Sequence, residues 1–135
     1  MGDPSYNKTV ENSCFTTWMD DDGICHTQVK ENAVIELKHA VANRQDVKTV
    51  AGETIPPMIV DVRKIQSISR DARDYFAMRN RKPGVSAIAM IIDSEVSKMI
   101  VNLYLQFSKP TVPTKLFTSE EKAVEWLREN YIGKK

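Results

Sequence analysis

The spacing of apolar residues along the chain is clearest in one segment toward the carboxyl end. Five apolar residues recur there at the i, i+3, i+4, i+7 and i+11 positions that make one face of a helix: Val96, Met99, Ile100, Leu103 and Phe107. Ser94 precedes the segment as a helix cap, and Pro110 ends it. The pattern predicts a helix between these two residues, with the five apolar side chains facing the core.

Three further segments have helical spacing and a polar residue placed to cap them. Asn32 precedes a helix from Ala33 to about Gln45, Ser67 or Ser69 precedes one that runs to Asn80, and Ser119 precedes the last. The predicted inner residues are Val34, Leu37, Ala40 and Val41 in the first, Ala72, Tyr75, Phe76 and Arg79 in the second, and Ala123, Trp126 and Leu127 in the last. Each helix is expected to bury one face.

Short runs rich in β-branched and aromatic residues predict five strands. They are residues 13–19, 24–29, 58–62, 85–92 and 114–117. The first two flank a hairpin turn, for which two registers are open: a four-residue loop that pairs Met19 with Ile24, or a two-residue Asp22–Gly23 turn that pairs Asp20 with Cys25. The run 58–62 is almost continuously apolar, as parallel strands are when both faces are buried.

The order of these elements is ββαβαβαβα. A hairpin followed by alternating strands and helices predicts an α/β fold, in which a mixed β-sheet of about five strands is packed with four helices. Residues 1–11 are polar and contain a Gly and a Pro, so we expect a flexible N-terminal arm. We predict that residues 12–132 form a single domain, because their number suits one hydrophobic core.

The amino-acid composition argues against nucleic-acid-binding, membrane-spanning and disulfide-rich proteins. Lys and Arg number 19 against 18 Asp and Glu, a formal net charge of +1, so the charge does not predict binding to nucleic acid. The longest apolar run, residues 85–92, is too short to span a membrane. Cys14 and Cys25 are too few for a disulfide framework, and neither hairpin register sets them opposite each other. We expect a cytoplasmic protein with two free thiols.

No residue pattern predicts catalysis, a metal or a cofactor. His26 and His39 lack the spacing of a zinc site, and the sequence has no glycine-rich phosphate loop. Asp61 beside the basic pair Arg63–Lys64 has a faint likeness to a nuclease site, but the required second acidic group is wrongly spaced. A hydrolase is therefore the least favoured class, and we expect a protein that is not an enzyme.

Residues 63–73 are the best candidate for a binding site. They join the end of a predicted strand to a helix start, where α/β folds place ligands and where free backbone N–H groups attract anions. The polar side chains of this segment are Arg63, Lys64, Ser67, Ser69, Arg70, Asp71 and Arg73. We predict that they bind a protein partner or an anion. The structural alternative is a serine cap with Ile68 packed beside it and solvated arginines.

Three features resemble the anti-sigma-factor antagonists of the bacterial SpoIIAA-like (STAS) family, which is grouped with SEC14-type domains. They are the order of elements, a strand Val60–Val62 leading to a serine-bearing helix start, and the closing segment Phe117–Leu127 with its two glutamates, alanine and Trp-Leu pair. The resemblance covers residues 14–131. It implies a SpoIIAA-like fold and a protein partner, such as a regulatory kinase or another sigma-pathway protein.

In that family an Asp-Ser-Ser-Gly turn opens the helix, and its second serine is phosphorylated. Alignment through Ile68 places Ser69, Arg70, Asp71 and Ala72 at this turn, so Asp71 occupies the phosphoacceptor position. The resemblance therefore gives two hypotheses. Asp71 imitates a permanently phosphorylated state, because phosphate adds negative charge at a helix start, or Ser69 is phosphorylated in a shifted register.

The leading functional prediction is a non-enzymatic regulatory or adaptor domain that binds a protein partner through residues 67–73. A homodimer formed through a sheet edge or a helix face is a further expectation. The alternative is a domain that binds a small ligand, either a lipid or an anion, as the SEC14-type resemblance implies. Neither function is expected to need a cofactor.

Overall fold

The structure, a computed structural model, describes residues 9–77 and 84–132. Its strands are β1 (Thr9–Glu11), β2 (Phe15–Met19), β3 (Cys25–Val29), β4 (Ala33–Ile35), β5 (Met58–Asp61), β6 (Ile65–Ile68), β7 (Ile88–Ile91) and β8 (Thr114–Phe117). Its helices are α1 (Leu37–Ala51), α2 (Arg70–Ala77), α3 (Glu95–Leu103) and α4 (Glu120–Asn130), and a π-helical turn (Tyr104–Ser108) continues α3.

Six of the strands form one mixed sheet in the order β1-β2-β3-β5-β7-β8. The first three pair antiparallel, and β3, β5, β7 and β8 are parallel to one another. The remaining two, β4 and β6, form a separate parallel pair. The α/β class, the mixed sheet and the four helices are confirmed, and the main sheet has six strands because Thr9–Glu11 adds an edge strand.

The two faces of the sheet contribute to two separate hydrophobic clusters. Successive residues of β7 alternate between them: Ile88 and Met90 face the larger cluster, and Ala89 and Ile91 face the smaller one. This alternation follows from the pleat of a strand, which points neighbouring side chains to opposite faces. Helices α1, α2 and α3 contribute to the larger cluster, whereas α4 covers the smaller one.

The hairpin between β2 and β3 has a register that neither sequence prediction gave. Met19 pairs with Cys25, one position away from both predicted registers, so each of them was wrong. Asp20 sets the turn, because its Oδ1 accepts the backbone N–H groups of Asp22 and Ile24 at 2.8 and 3.0 Å. Gly23 has a φ of 86°, a conformation that glycine adopts without strain. The result is a three-residue connection.

Helix α1 begins four residues later than predicted. Asn32 has a φ of 60°, which interrupts a right-handed helix, and residues 33–35 form β4 instead. Glu36 caps the helix. The prediction that Val34, Leu37 and Val41 face inward was therefore wrong, since each is 42–45% exposed. The buried residues of α1 are Ala40, Asn43, Val47 and Ala51.

Helix α3 buries a different face from the one that its spacing predicts. Of the five predicted residues only Ile100 is buried, and the other four are 36–66% exposed. The buried face consists of Ser97, Ile100, Val101, Tyr104 and Ser108. The assignment of Met99 to the core was wrong as well, whereas Met58 and Met90 are buried as predicted. Met78 and Arg79 lie outside the described residues.

Candidate functional site

The predicted binding segment, residues 63–73, is divided by a strand. Residues Ile65–Ile68 form β6, so Arg63 and Lys64 lie before the strand and Ser69 to Arg73 lie after it. Four residues at about 3.3 Å each separate the two halves by roughly 13 Å. Ser67 is half-buried within β6, where it pairs with Val34 of β4. The segment therefore does not form a single compact site.

Arg63 is held by a carboxylate of the same turn. Its Nη2 and Nε donate to the two oxygens of Asp61 at 2.7 and 2.9 Å, and its backbone N–H donates to Oδ1 at 3.1 Å. Burial works to raise the pKa of Asp61, but the hydrogen bonds from Arg63 outweigh it, so this pKa is lowered. Asp61 thus stays ionised and paired. It is a poor general base, and Arg63 is not free to bind an anion.

The start of α2 is a serine-capped helix end. The Oγ of Ser69 accepts the backbone N–H of Ala72 at 3.1 Å, and the backbone N–H of Ser69 donates to the carbonyl of Ile35 at 2.9 Å. The structural alternative for this segment is therefore present, with Ser69 rather than Ser67 as the cap. Arg70 and Asp71 are exposed in the first turn, where they are accessible to a partner.

Arg73 differs from the other basic residues of the segment. It lies on α2 and is half-buried, and its Nε is buried without a hydrogen-bond partner among the residues that the structure describes. It borders a cavity of about 100 Å³ between the sheet and helices α1, α2 and α3. Apolar side chains such as Phe15, Val47 and Val101 form most of the cavity wall. The sequence predicted Arg73 as a binding residue but gave no sign of the cavity.

Half of the large apolar side chains that are exposed among the described residues lie on α3 and its π-helical turn. We call this group the α3 stripe, and it consists of Val96 (45% exposed), Met99 (57%), Leu103 (36%) and Phe107 (66%). Exposed apolar side chains that are contiguous mark interaction surfaces more often than isolated ones do. The hydrophobic periodicity of α3 identified these residues in the sequence, but we expected them to form core contacts.

The α3 stripe lies on elements that adjoin both β6 and α2. Its first residue, Val96, shares a shallow surface depression with Lys64 and Gln66 at the beginning of β6. At its other end Ser108, which follows Phe107 in the chain, donates from Oγ to Asp74 of α2 at 2.9 Å. Helix α3 and its π-helical turn therefore adjoin the beginning of β6 at one end and Asp74 in the second turn of α2 at the other.

Reactive groups elsewhere in the described part of the chain are occupied or buried. His26 stacks on Trp18 and has its Nε2 at 2.8 Å from an oxygen of Asp20. Both cysteines are free and buried, and burial raises the pKa of Cys25 to about 12, which keeps its thiol protonated at neutral pH. Residues 9–77 and 84–132 contain no group of three or more His, Cys, Asp or Glu that could hold a metal ion. None of the helices described is long and apolar enough to cross a membrane.

Solved structures with the same arrangement define the class of fold. A protein of the DUF3478 family from Shewanella loihica PV-4, described as having a SpoIIAA-like fold, matches with a TM-score of 0.59 and 14% identity over 89% of this chain and 99% of that one. An anti-sigma factor antagonist from Mycobacterium paratuberculosis matches with a TM-score of 0.58 and 15% identity over 95% of this chain and 99% of that one. The chain has a SpoIIAA-like, or STAS-like, fold, as the resemblance predicted.

The sequence also places the chain in a family. Residues 17–131 match the family described as "Domain of unknown function (DUF7793)", and the chain belongs to that family. A protein with unknown function from Arthrobacter sp. FB24 is 29% identical over 83% of this chain and 97% of that one, but its TM-score of 0.34 is too low to bear on the fold. No curated protein matches the chain in sequence.

Proposed function

We propose that this chain is a regulatory domain without catalytic activity of its own, and that it binds a protein partner through the α3 stripe and the charged residues beside it. Folds of this kind support such a role, since the similar protein from Mycobacterium paratuberculosis is named an anti-sigma factor antagonist. One fold serves many functions, however, so the proposal depends on the surface. A regulatory kinase or another sigma-pathway protein is the class of partner that the resemblance favours.

The exposure of the α3 stripe is the observation that carries the proposal. Its four apolar residues are 36–66% exposed on one side of a single helix. A domain that only had to fold would gain stability by covering such side chains or by replacing them with polar ones. A partner protein that covers the stripe would remove this apolar surface from water.

Charged groups flank the stripe in the manner of an interface rim. Lys64 lies near Val96, and Asp74 of α2 accepts a hydrogen bond from Ser108, the neighbour of Phe107 in the chain. Arg70 and Asp71 are exposed on the same helix. Protein interfaces commonly have an apolar centre with polar residues around it. Four side chains bury too little area for a stable complex, which needs about 800 Å² per partner. The charged residues of the predicted site would supply the remaining contact.

Negative charge at the start of α2 is the proposed point of regulation. Asp71 is exposed in the first turn, near the positive end of the helix dipole, where a phosphate would also be favourable. Phosphorylation of Ser69 would attach phosphate to the Oγ that caps α2, where the phosphate oxygens could accept the free N–H groups of the helix start. Two measurements test these ideas: partner binding by an Asp71→Ser variant, and phosphate uptake at Ser69 in cell extract. Unchanged binding together with no phosphate at Ser69 would exclude regulation at this turn.

Capture from native cells with two matched double variants tests the binding surface. Met99→Ser with Phe107→Ser removes the two most exposed apolar residues of the stripe, and Leu37→Ser with Val41→Ser removes exposed apolar residues of α1. We expect quantitative mass spectrometry to show a partner retained by the wild type and the α1 variant and lost from the stripe variant. Equal retention by all three proteins would contradict the proposal.

A size measurement of the purified chain separates a foreign partner from a second copy. Edge strands β1 and β8 and the α3 stripe are the surfaces available for the predicted homodimer. If the wild type is a dimer by light scattering and the stripe variant is a monomer, a second copy occupies the stripe and the proposal of a foreign partner there is overturned. A monomeric wild type leaves the stripe open for a different protein.

The cavity beside Arg73 supports a second candidate function, which is the binding of a small ligand. It is lined mainly by apolar side chains and also by Arg73, whose buried Nε has no hydrogen-bond partner among the described residues. Small-molecule sites commonly combine an apolar wall with a few polar groups that fix orientation. This candidate is independent of the α3 stripe, because the stripe residues do not line the cavity.

A further inference from the structure

Basic side chains border the cavity in the larger hydrophobic cluster. Three of its lining residues carry positive charge: Arg44 and Lys48 of α1 and Arg73 of α2. Among the described lining residues none is Asp or Glu. Lys48 is exposed and Arg44 and Arg73 are partly buried, whereas most of the other lining residues are buried. The basic side chains therefore belong to the less buried part of the lining, and the buried part is mostly apolar.

Arg73 supplies a donor that the protein itself does not use. Its Nε lies buried, and no acceptor for it exists among residues 9–77 and 84–132. A buried N–H group without an acceptor is costly, and native structures rarely leave one unexplained. A carboxylate satisfies an arginine side chain well, because its two oxygens match the planar guanidinium and both groups are charged.

The size of the cavity limits the apolar part of a ligand. An engineered apolar cavity of about 150 Å³ accepts benzene. The cavity described here is about 100 Å³. It is therefore suited to a hydrocarbon group smaller than benzene. Long acyl chains do not fit within it.

From this geometry we infer that the cavity binds a short-chain carboxylate, with the hydrocarbon chain inside the cavity and the carboxylate on Arg73. The inference rests on the second candidate function and names its ligand class. Apolar burial supplies the affinity for the chain, and the guanidinium selects the acid over neutral molecules of the same length. Lys48, which is exposed, increases the local concentration of anions beside the cavity.

Pairs of acids and alcohols of equal length test the inference. We suggest titrating the full chain with pentanoate and 1-pentanol while following the methyl NMR signals of Val47 and Val101, which line the cavity. We expect pentanoate to bind at least tenfold more tightly than 1-pentanol. Affinity is expected to rise about fourfold per methylene from propanoate until the cavity is filled, and then to stop rising.

Two variants locate the bound acid. Arg73→Met keeps an unbranched apolar side chain and removes the charge, so pentanoate affinity is expected to fall about tenfold while that of 1-pentanol is unchanged. Val47→Phe is expected to fill the cavity and abolish binding of both probes. If this variant does not fold, as judged by its methyl spectrum, Val47→Leu takes its place and should weaken both probes several-fold.

The outcomes separate the inference from the function on which it rests. Equal binding of both probes, unaffected by Arg73→Met, would show a ligand cavity without selectivity for acids and would overturn the inference alone. No binding of either probe would overturn the second candidate function as well. Binding of pentanoate that survives the Val47 substitution would place the acid elsewhere and also overturn the inference.

Discussion

Helices α3 and α4 have apolar residues at similar spacing, but only α4 buries the residues that the spacing identifies. Ala123 and Leu127 of α4 are completely buried beneath the sheet, and Trp126 packs between Phe117 and Tyr131. In α3 the residues identified in the same way remain largely exposed. Periodicity therefore predicted both helices correctly and the buried face of only one.

The difference lies in the composition of the opposite faces. Outside its apolar residues α4 is largely charged, so it has only one face that can be buried at low cost. Two adjacent faces of α3 are acceptable to a core, because the hydroxyl groups on the second one find hydrogen bonds. Ser97 belongs to the capping box, Tyr104 donates to the carbonyl of Phe76 at 3.2 Å, and Ser108 donates to Asp74. A hydrogen bond inside the protein offsets the cost of removing a hydroxyl from water, so such a hydroxyl can be part of a buried face.

Truncation of one leucine on each helix should give the largest difference in the free energy of unfolding. We expect Leu127→Ala to lower the free energy of unfolding by about 3 kcal/mol, because it leaves a void beneath α4. Leu103→Ala removes the same atoms from a side chain that is already 36% exposed, so its cost is expected to be below about 1 kcal/mol. Urea unfolding measures both values, and equal losses would show that the assignment of the α3 faces is incorrect.

The buried hydroxyl of Tyr104 should contribute less to the free energy of unfolding than the side chain of Leu127. Tyr104→Phe removes the hydrogen bond to the carbonyl of Phe76, and we expect a loss of about 1 kcal/mol in the same assay. Tyr131→Phe at the end of α4 is the control, because it keeps the ring contact with Trp126 and should change stability by less than about 0.5 kcal/mol. An unchanged free energy of unfolding in Tyr104→Phe would contradict the claim that this hydrogen bond stabilises the fold.

Arg63 lies near the starts of both helices and allows a test by pH. Its pKa is raised chiefly by the hydrogen bond to Asp61, with smaller contributions from Asp93 before α3 and Glu120 of α4. Folding lowers the pKa of Asp61, so the pair stabilises the fold above the ordinary pKa of an aspartate and loses its effect as pH falls through the folded pKa. Arg63→Met should therefore cost about 0.5–1 kcal/mol at pH 7, and this cost should diminish as the solution is made acidic enough to protonate Asp61.

Carboxyl NMR titration is the direct check on this pair. The titration midpoint of Asp61 is expected to move upward in the Arg63→Met variant, because the lowering effect of the guanidinium is lost while burial remains. A cost of substitution that is independent of pH would show that Arg63 acts through packing alone.

Polar substitution on the α3 stripe should have the smallest effect on stability. Met99→Ser changes a side chain that is 57% exposed, and we expect the free energy of unfolding to change by less than about 0.5 kcal/mol. The same substitution should weaken partner capture. A large loss of stability would mean that the stripe supports the fold, and the functional proposal would then lose its main support.

Long periodic segments and turn residues made much of the fold predictable. The strand at residues 58–61, the edge strand Thr114–Phe117 and the cap and buried face of α4 were predicted correctly. The short strands β1, β4 and β6 were not predicted. Three or four residues give too little pattern to distinguish a strand from a helix start. The segment 65–68 gained its extended conformation by pairing with β4, a partner distant in sequence.

The candidate site was predictable only in part, for the same reason. Within residues 63–73 the sequence predicted a serine cap at a helix start, and Ser69 is that cap. The strand β6 then separated Arg63 from Ser69, and the carboxylate of Asp61 engaged Arg63. The α3 stripe was visible in the sequence as an apolar pattern, but exposure depends on which other elements cover it.

The sequence by itself determined the α/β class, the four helices and the caps at Ser94 and Ser119, because these depend on interactions within a few residues. Only the tertiary structure decided the hairpin register, the face that α3 buries and the position of Arg73 at an apolar cavity. Burial is a property of packed elements, and local spacing cannot say which of two acceptable faces the rest of the chain will cover.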